Sequence, residues 1–198
     1  MANLDAPRGL KPVRYLSGQA YTGAVNEYRK EASVIIGIGD PVVLTGSASA
    51  AGTNNADRDG VPLVTRAAAG SGTITGVVVG VRIDSSEDRL VHTKHMAAAD
   101  TGYLLVADDP TLVFEIQEDG DSGTVAVTDV GEGADIVVAN ADTSTGYSNV
   151  ELDSSNAGTG DQLQILRLVQ KEANDLGANA DWEVRINEHT YNSVGTMI

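Results

Sequence analysis

The chain has 198 residues, with 28 acidic side chains against 13 basic ones, a net charge of −15 and no cysteine. Disulfides and thiolate metal centres are therefore excluded, and so acidic a body repels nucleic acid, whose binding needs basic groups to displace condensed counterions. Aromatic residues are 4% of the chain while glycine contributes 22 positions, so the core must be built from Val, Ile, Leu and Ala on closely approaching strands. The length suits one large all-β domain or two small ones.

Residues 1–33 read as an N-terminal arm followed by a first edge strand. Pro7-Arg8-Gly9-Leu10-Lys11-Pro12-Val13-Arg14-Tyr15 sets two prolines around a glycine, which disfavours helix and holds the backbone extended. Residues 1–35 carry five basic and three acidic side chains, so this segment is slightly basic on a strongly acidic body. Two placements stay open: a strand packed on its own body, or an arm reaching an acidic surface of a neighbouring subunit. Tyr21–Arg29 alternates loosely, as an edge strand would.

The β-rich body is 34–198, either as one unit or as two small β-subdomains, 34–119 and 120–198. Val34–Gly46 gives two strands joined at Gly39-Asp40-Pro41, and residues 47–60 form a long loop with no apolar periodicity. Strands follow at 60–67 and 73–83; Gly76 and Gly80 interrupt the second, as where a barrel strand bends or another backbone comes close. A short strand is expected at 89–94. Gly102–Glu118 reads as a hairpin, with Tyr103–Ala107 covered on both faces and Asp108-Asp109-Pro110-Thr111 as its turn. Leu112, Phe114 and Ile116 face the core and Val113, Glu115 and Gln117 solvent. Further strands are expected at 134–139, 150–153, 162–169 and 182–189, with one or two helical turns at 170–176. The fold class is all-β: a glycine-rich barrel or sandwich body with an extended N-terminal arm and little or no helix.

No catalytic constellation emerges. Gly37-Ile38-Gly39 lacks the third glycine and following helix of a dinucleotide site. Counting from Asp119, a calcium loop would require Gly at Thr124 and Glu at Val130, so the spacing fails. His92 and His95 would point to opposite faces of a strand, and His189 has no recognisable partner. No G-x-S-x-G elbow is present. The expectation is a non-enzyme with no cofactor and no metal. Met1–Asp5 lacks a leader pattern, and no stretch approaches the length of a membrane span, so no membrane partner is expected.

One ordered series of segments goes further. Met1-Ala2-Asn3, Gly9–Arg14, Gly39–Val43, Ile74–Gly80, Tyr103–Pro110, Glu115–Asp119 and Trp182–His189 together resemble the cement, or head-decoration, proteins of tailed bacteriophages. The resemblance implies a structural virion protein, assembled in the host cytoplasm, that binds the capsid exterior and bridges neighbouring major capsid protein subunits against the pressure of packaged DNA. It implies homo-oligomerisation, with a trimer expected and a dimer as the alternative, and no direct contact with nucleic acid. It also implies that the N-terminal segment adds a strand to, or lies across, a capsid subunit, with Pro7, Arg8, Gly9, Leu10, Pro12, Arg14 and Tyr15 as contact residues. The competing class is a phage surface or tail adhesin that binds a host glycan or protein.

Overall fold

A computed structural model describes residues 3–31, 33–49, 60–83, 94–100, 102–121 and 123–192. The chain is all-β. Its strands are β1 (Lys11–Tyr15), β2 (Asn26–Lys30), β3 (Ile36–Gly37), β4 (Pro41–Ala48), β5 (Pro62–Arg66), β6 (Gly76–Ile83), β7 (His95–Met96), β8 (Gly102–Ala107), β9 (Leu112–Gln117), β10 (Gly133–Ala134), β11 (Ile136–Val137), β12 (Glu151–Leu152), β13 (Leu163–Leu168) and β14 (Asp181–Ile186). Residues 89–93 of the strand expected at 89–94, and residues 50–59 of the loop expected at 47–60, lie outside the described residues.

Two bodies share one chain. A closed barrel runs β2-β5-β4-β6-β8, and a five-stranded sheet runs β1-β9-β14-β13-β10. The barrel closes because β2 pairs antiparallel with β8 and parallel with β5. Residues 21–29 were expected to hold an edge strand; instead β2 has a neighbour on each side, and closure removes the edge. Gly76 and Gly80 fill the roles expected of them. A Cβ on Gly76 would lie 2.6 Å from the Ala107 carbonyl oxygen, and the β6–β8 register slips between Val78 and Gly80.

The expected hairpin at 102–118 does not form. β8 hydrogen-bonds β2 and β6, whereas β9 hydrogen-bonds β1 and β14, so the 108–111 turn carries the chain from barrel to sheet. The turn chemistry itself is as expected: Asp109 Oδ1 accepts from the Thr111 N–H at 2.7 Å and from its hydroxyl. Asp108 accepts from Asn26 and, at 2.6 Å, from the Tyr28 hydroxyl, which ties the turn to the barrel. Alternation within one strand says which face is apolar but not which strand lies alongside.

β8 reads as continuously apolar because it serves two cores. Leu104 and Val106 point into the barrel with Tyr28, Ile36, Val42, Val64, Val78 and Met96. Ala107, with Val77 of β6, joins the core under the sheet, which includes Leu10, Leu112, Phe114, Ile116, Trp182, Val184 and Ile186. Trp182, Val184 and Ile186 do face one way, as expected. On β9 the second face is covered too: Val113, Glu115 and Gln117 are all buried.

Residues 134–139 split into β10 and β11, which belong to different sheets, and 170–176 contain turns rather than helix. Among the described residues, helical structure is limited to 3-10 turns at Val127–Asp129 and Ser154–Asn156. The last holds itself with Asp153, whose side chain accepts from the Ser155 N–H. Buried Lys30 is satisfied without a carboxylate, donating to the carbonyls of Glu31, Ala98 and Asp100. Burial lowers its pKa, although the nearby Asp100 charge opposes that shift.

Candidate contact surface

The N-terminal segment is the first candidate, and it is folded against its own body. β1 pairs antiparallel with β9, placing Lys11 opposite Glu115 and Tyr15 opposite Leu112. Its other side is covered by the returning chain, where the Tyr21 N–H donates to the Val13 carbonyl and the Tyr15 N–H to that of Gln19. β1 thus spends its backbone hydrogen bonds inside the chain, and strand addition to a neighbour through it is not available in this arrangement.

The seven proposed contact residues therefore separate. Leu10 is 1% exposed and belongs to the core, and its N–H donates to the Gly39 carbonyl at 3.0 Å. Gly9 is buried at a φ of +68°, facing Gly39 so closely that a Cβ would lie 2.3 Å from the Gly39 oxygen. Neither can touch an outside partner in this fold. Pro7, Arg8, Pro12, Arg14 and Tyr15 remain half-buried. The most exposed apolar side chains nearby are Leu4 and Leu16, which composition alone did not single out.

A charged layer holds this segment down. Register sets Glu115 of β9 directly opposite Glu183 of β14, a like-charge pair that would be destabilising alone. Cations from four segments neutralise it. Arg8 lies 2.7 Å from Glu115 and 3.1 Å from Asp181; Lys171 bridges Glu115 and Asp181; Lys11 lies 3.7 Å from Glu115. Arg14 and Arg167 flank Glu183 at 2.5 and 2.7 Å. Burial raises the Glu183 pKa, but its bonds to Arg167 and Arg14 outweigh that and hold it below the usual carboxylate range. The basic N-terminus thus finds its acidic surface within the chain. Sequence reasoning missed Glu115, Lys171, Asp181 and Glu183 as its partners, because pairing across β1, β9 and β14 depends on register. The alternation that turned Glu115 and Glu183 away from the core was the signal available.

Beyond Arg8 the anchoring is polar. The Asn3 side-chain amide donates to the carbonyls of Asp175 and Ala178, the Ala6 N–H donates to Gln117 Oε1, and Gln117 Nε2 donates to the Leu4 carbonyl. Leu4 is left 79% exposed, and Leu176, on the turn that Asn3 grips, is 51% exposed.

A second polar cluster lies behind the sheet. Glu118 is fully buried; its Oε2 accepts from the Trp182 indole N–H and the Val125 N–H, while Oε1 has no hydrogen-bond partner. Burial, with a smaller push from Asp119, raises the Glu118 carboxyl to about 7 against those two bonds. Burial and then the charges of Asp5, Asp119 and Asp121 raise Glu151 to about 7. Both groups bind protons more tightly folded than unfolded, where they titrate near 4.5. Their stabilising contribution is full below pH 4.5 and is lost as pH rises through about 7. Unfolding midpoints in urea should therefore fall from pH 6.5 to pH 8, above the range where the lowered His189 pKa gives an opposing slope, and Glu118→Gln, which keeps an acceptor oxygen, should remove much of that fall. A flat profile in the wild-type chain would refute this account.

No group of three or more His, Asp or Glu side chains among the described residues is placed to hold a metal ion. His92 lies outside the described residues, while His95 sits on β7 beside Met96. His189 is 1% exposed; its Nδ1 accepts from the Tyr191 N–H, and burial lowers its pKa despite the neighbouring Asp108 and Asp109 charges. No helix among the described residues is long and apolar enough to cross a membrane. Comparison with protein-family models, with curated proteins and with solved structures finds no match to this chain.

Proposed function

We propose that this chain is a structural virion protein that binds the outside of a tailed-phage capsid and bridges neighbouring major capsid protein subunits. The observation that carries the proposal is where the resembling segments meet. The Leu10 N–H donates to the Gly39 carbonyl, the Gly39 N–H to Val78 and the Val78 N–H to Asp40, while Gly76 packs on Ala107 and Asp108. Trp182 pairs with Ile116 in the adjoining sheet. Segments far apart in sequence thus build one joint between barrel and sheet, which supports reading the series as one fold signature rather than a set of ordinary turns.

In this role the chain supplies area and rigidity. The closed barrel has no edge and β1 is covered on both sides, so contact with the shell through the N-terminal segment is made by side chains. The exposed Leu4, Leu16 and Leu176 are the features offered to the capsid. Weak contacts repeated on a symmetric lattice sum through multivalency, and self-association of the chain as a trimer would add to that sum. No catalytic role is part of this reading.

Quantitative mass spectrometry of purified virions tests it. The expected result is a copy number comparable with that of the major capsid protein. A few copies per particle would overturn the proposal in favour of the adhesin. Truncation of residues 3–16 is a poor test, because it removes Leu10 from the core. Leu4→Glu combined with Leu16→Glu leaves the core intact and is expected to weaken binding to expanded capsids.

A further inference from the structure

A recess of about 450 Å³ opens between the start of β7 and the 143–147 turn. The turn is rigid. Asp142 accepts from the Ser144 N–H at 2.8 Å, from the Ser144 hydroxyl and from the Thr145 hydroxyl. These bonds, the Ser144 N–H foremost, hold its carboxyl below the usual range. The Gly146 N–H donates to the Asp142 carbonyl, and the Ile38 N–H to the Gly146 carbonyl, which fixes the turn to β3. Gly146 has a φ of +79° and approaches Lys94 so closely that a Cβ would lie 2.4 Å from the Lys94 Cβ.

This close approach places an exposed cation beside an exposed ring. Lys94 Nζ lies 4.9 Å from the centroid of the Tyr147 ring and 3.5 Å from its hydroxyl, and Tyr147 is 40% exposed. Among the described residues no carboxylate pairs with Lys94, in a chain where Arg8, Lys11, Arg14, Arg82, Arg167 and Lys171 all have one. The ammonium and the phenol are spaced to be shared by the two oxygens of one carboxylate. Because the Ser144 and Thr145 hydroxyls donate inward to Asp142, the Ser144 oxygen is left to accept from a ligand, and the Thr145 oxygen, which accepts from the Tyr147 N–H at 3.3 Å, keeps one lone pair. Lys94 Nζ takes one face of the ring, and the remaining exposed ring surface is apolar, of the kind against which a sugar packs. A net charge of −15 disfavours polyanions, so the match is a single carboxylate on a polyhydroxylated ring.

We propose that the recess lined by Lys94, Thr143, Ser144, Thr145 and Tyr147 binds an acidic monosaccharide unit of the uronic-acid type, its carboxylate on Lys94 and Tyr147 and its hydroxyls on the turn. The site goes beyond the capsid role: virion copy number can fail while sugar binding holds, and the reverse.

The test is an amide chemical-shift titration of the full chain with glucuronate, glucose and acetate as separate probes. Glucuronate should shift the 143–147 amides saturably and bind about 10-fold more tightly than either glucose or acetate. Lys94→Gln should bring glucuronate down to the glucose level, and Tyr147→Ala should abolish the response to both sugars. Both side chains are exposed, so the variants should keep the wild-type spectrum elsewhere. Absence of saturable shifts with glucuronate, equal affinity for glucose, or acetate binding as tightly as glucuronate would each overturn the proposal.

Discussion

Trp182→Ala should lower the unfolding free energy by about 3–5 kcal/mol, the range for deleting a large buried aromatic side chain. The indole is 1% exposed in the core under the sheet, on β14 opposite Ile116. Its removal does more than leave a void, because the indole N–H is one of two donors to the buried Glu118 carboxylate. Trp182→Phe separates the two effects: it keeps most of the apolar volume and strips the donor, at a cost of about 1–3 kcal/mol. The lost bond was holding the Glu118 pKa down, so the phenylalanine variant should also lose stability with rising pH from a higher midpoint. Urea denaturation followed by circular dichroism measures both, since Trp182 is the sole tryptophan and fluorescence goes dark with it. Equal stability of Trp182→Phe and wild type across pH 5 to 8 would show that the indole–carboxylate bond contributes nothing.

Gly9→Ala is the second large effect. At a φ of +68° an alanine pays the left-handed cost of about 1–2 kcal/mol. Its Cβ would also meet the Gly39 oxygen at 2.3 Å and the Ser148 Cβ at 2.6 Å. Neither is the far end of a flexible side chain, so the N-terminal segment must lift from Gly39, for a total of about 2–4 kcal/mol. Gly18→Ala is the matched control: φ is +88° but no atom lies within 4 Å of the added Cβ, so only the backbone cost remains. If both variants lost the same stability, the close approach of Gly9 to Gly39 would carry no energy. Limited proteolysis should cut the Gly9→Ala variant ahead of Leu10 faster than wild type.

The fold class was legible because period-two alternation and turn residues are local signals. Leu112, Phe114 and Ile116 declare their face without knowledge of any partner, and Gly76 and Gly80 mark curvature without saying what curves around what. Partnership was not legible. Asp108-Asp109-Pro110-Thr111 has the chemistry of a tight turn whether it joins paired strands or passes from one sheet to another, and only the neighbours of β8 and β9 distinguish the two. The charged layer was hidden for the same reason. Arg8 and Arg14 were visible as cations, but Glu115 and Glu183 became their partners only through a register that links residues on opposite ends of the chain. The pocket at Lys94 and Tyr147 had no local mark at all, since its two sides come from different elements and the geometry turns on Gly146 fitting against Lys94.

The pairing of β1 with β9 also sets the order of events at the ribosome. β1 is synthesised well before its partner strand and before the glutamates that hold Arg8 and Arg14. Contacts between distant parts of a chain form late, after the loop between them has been closed at an entropic cost. Until residues 112–117 and 181–186 have been made, β1 and Leu10 have no sheet to join.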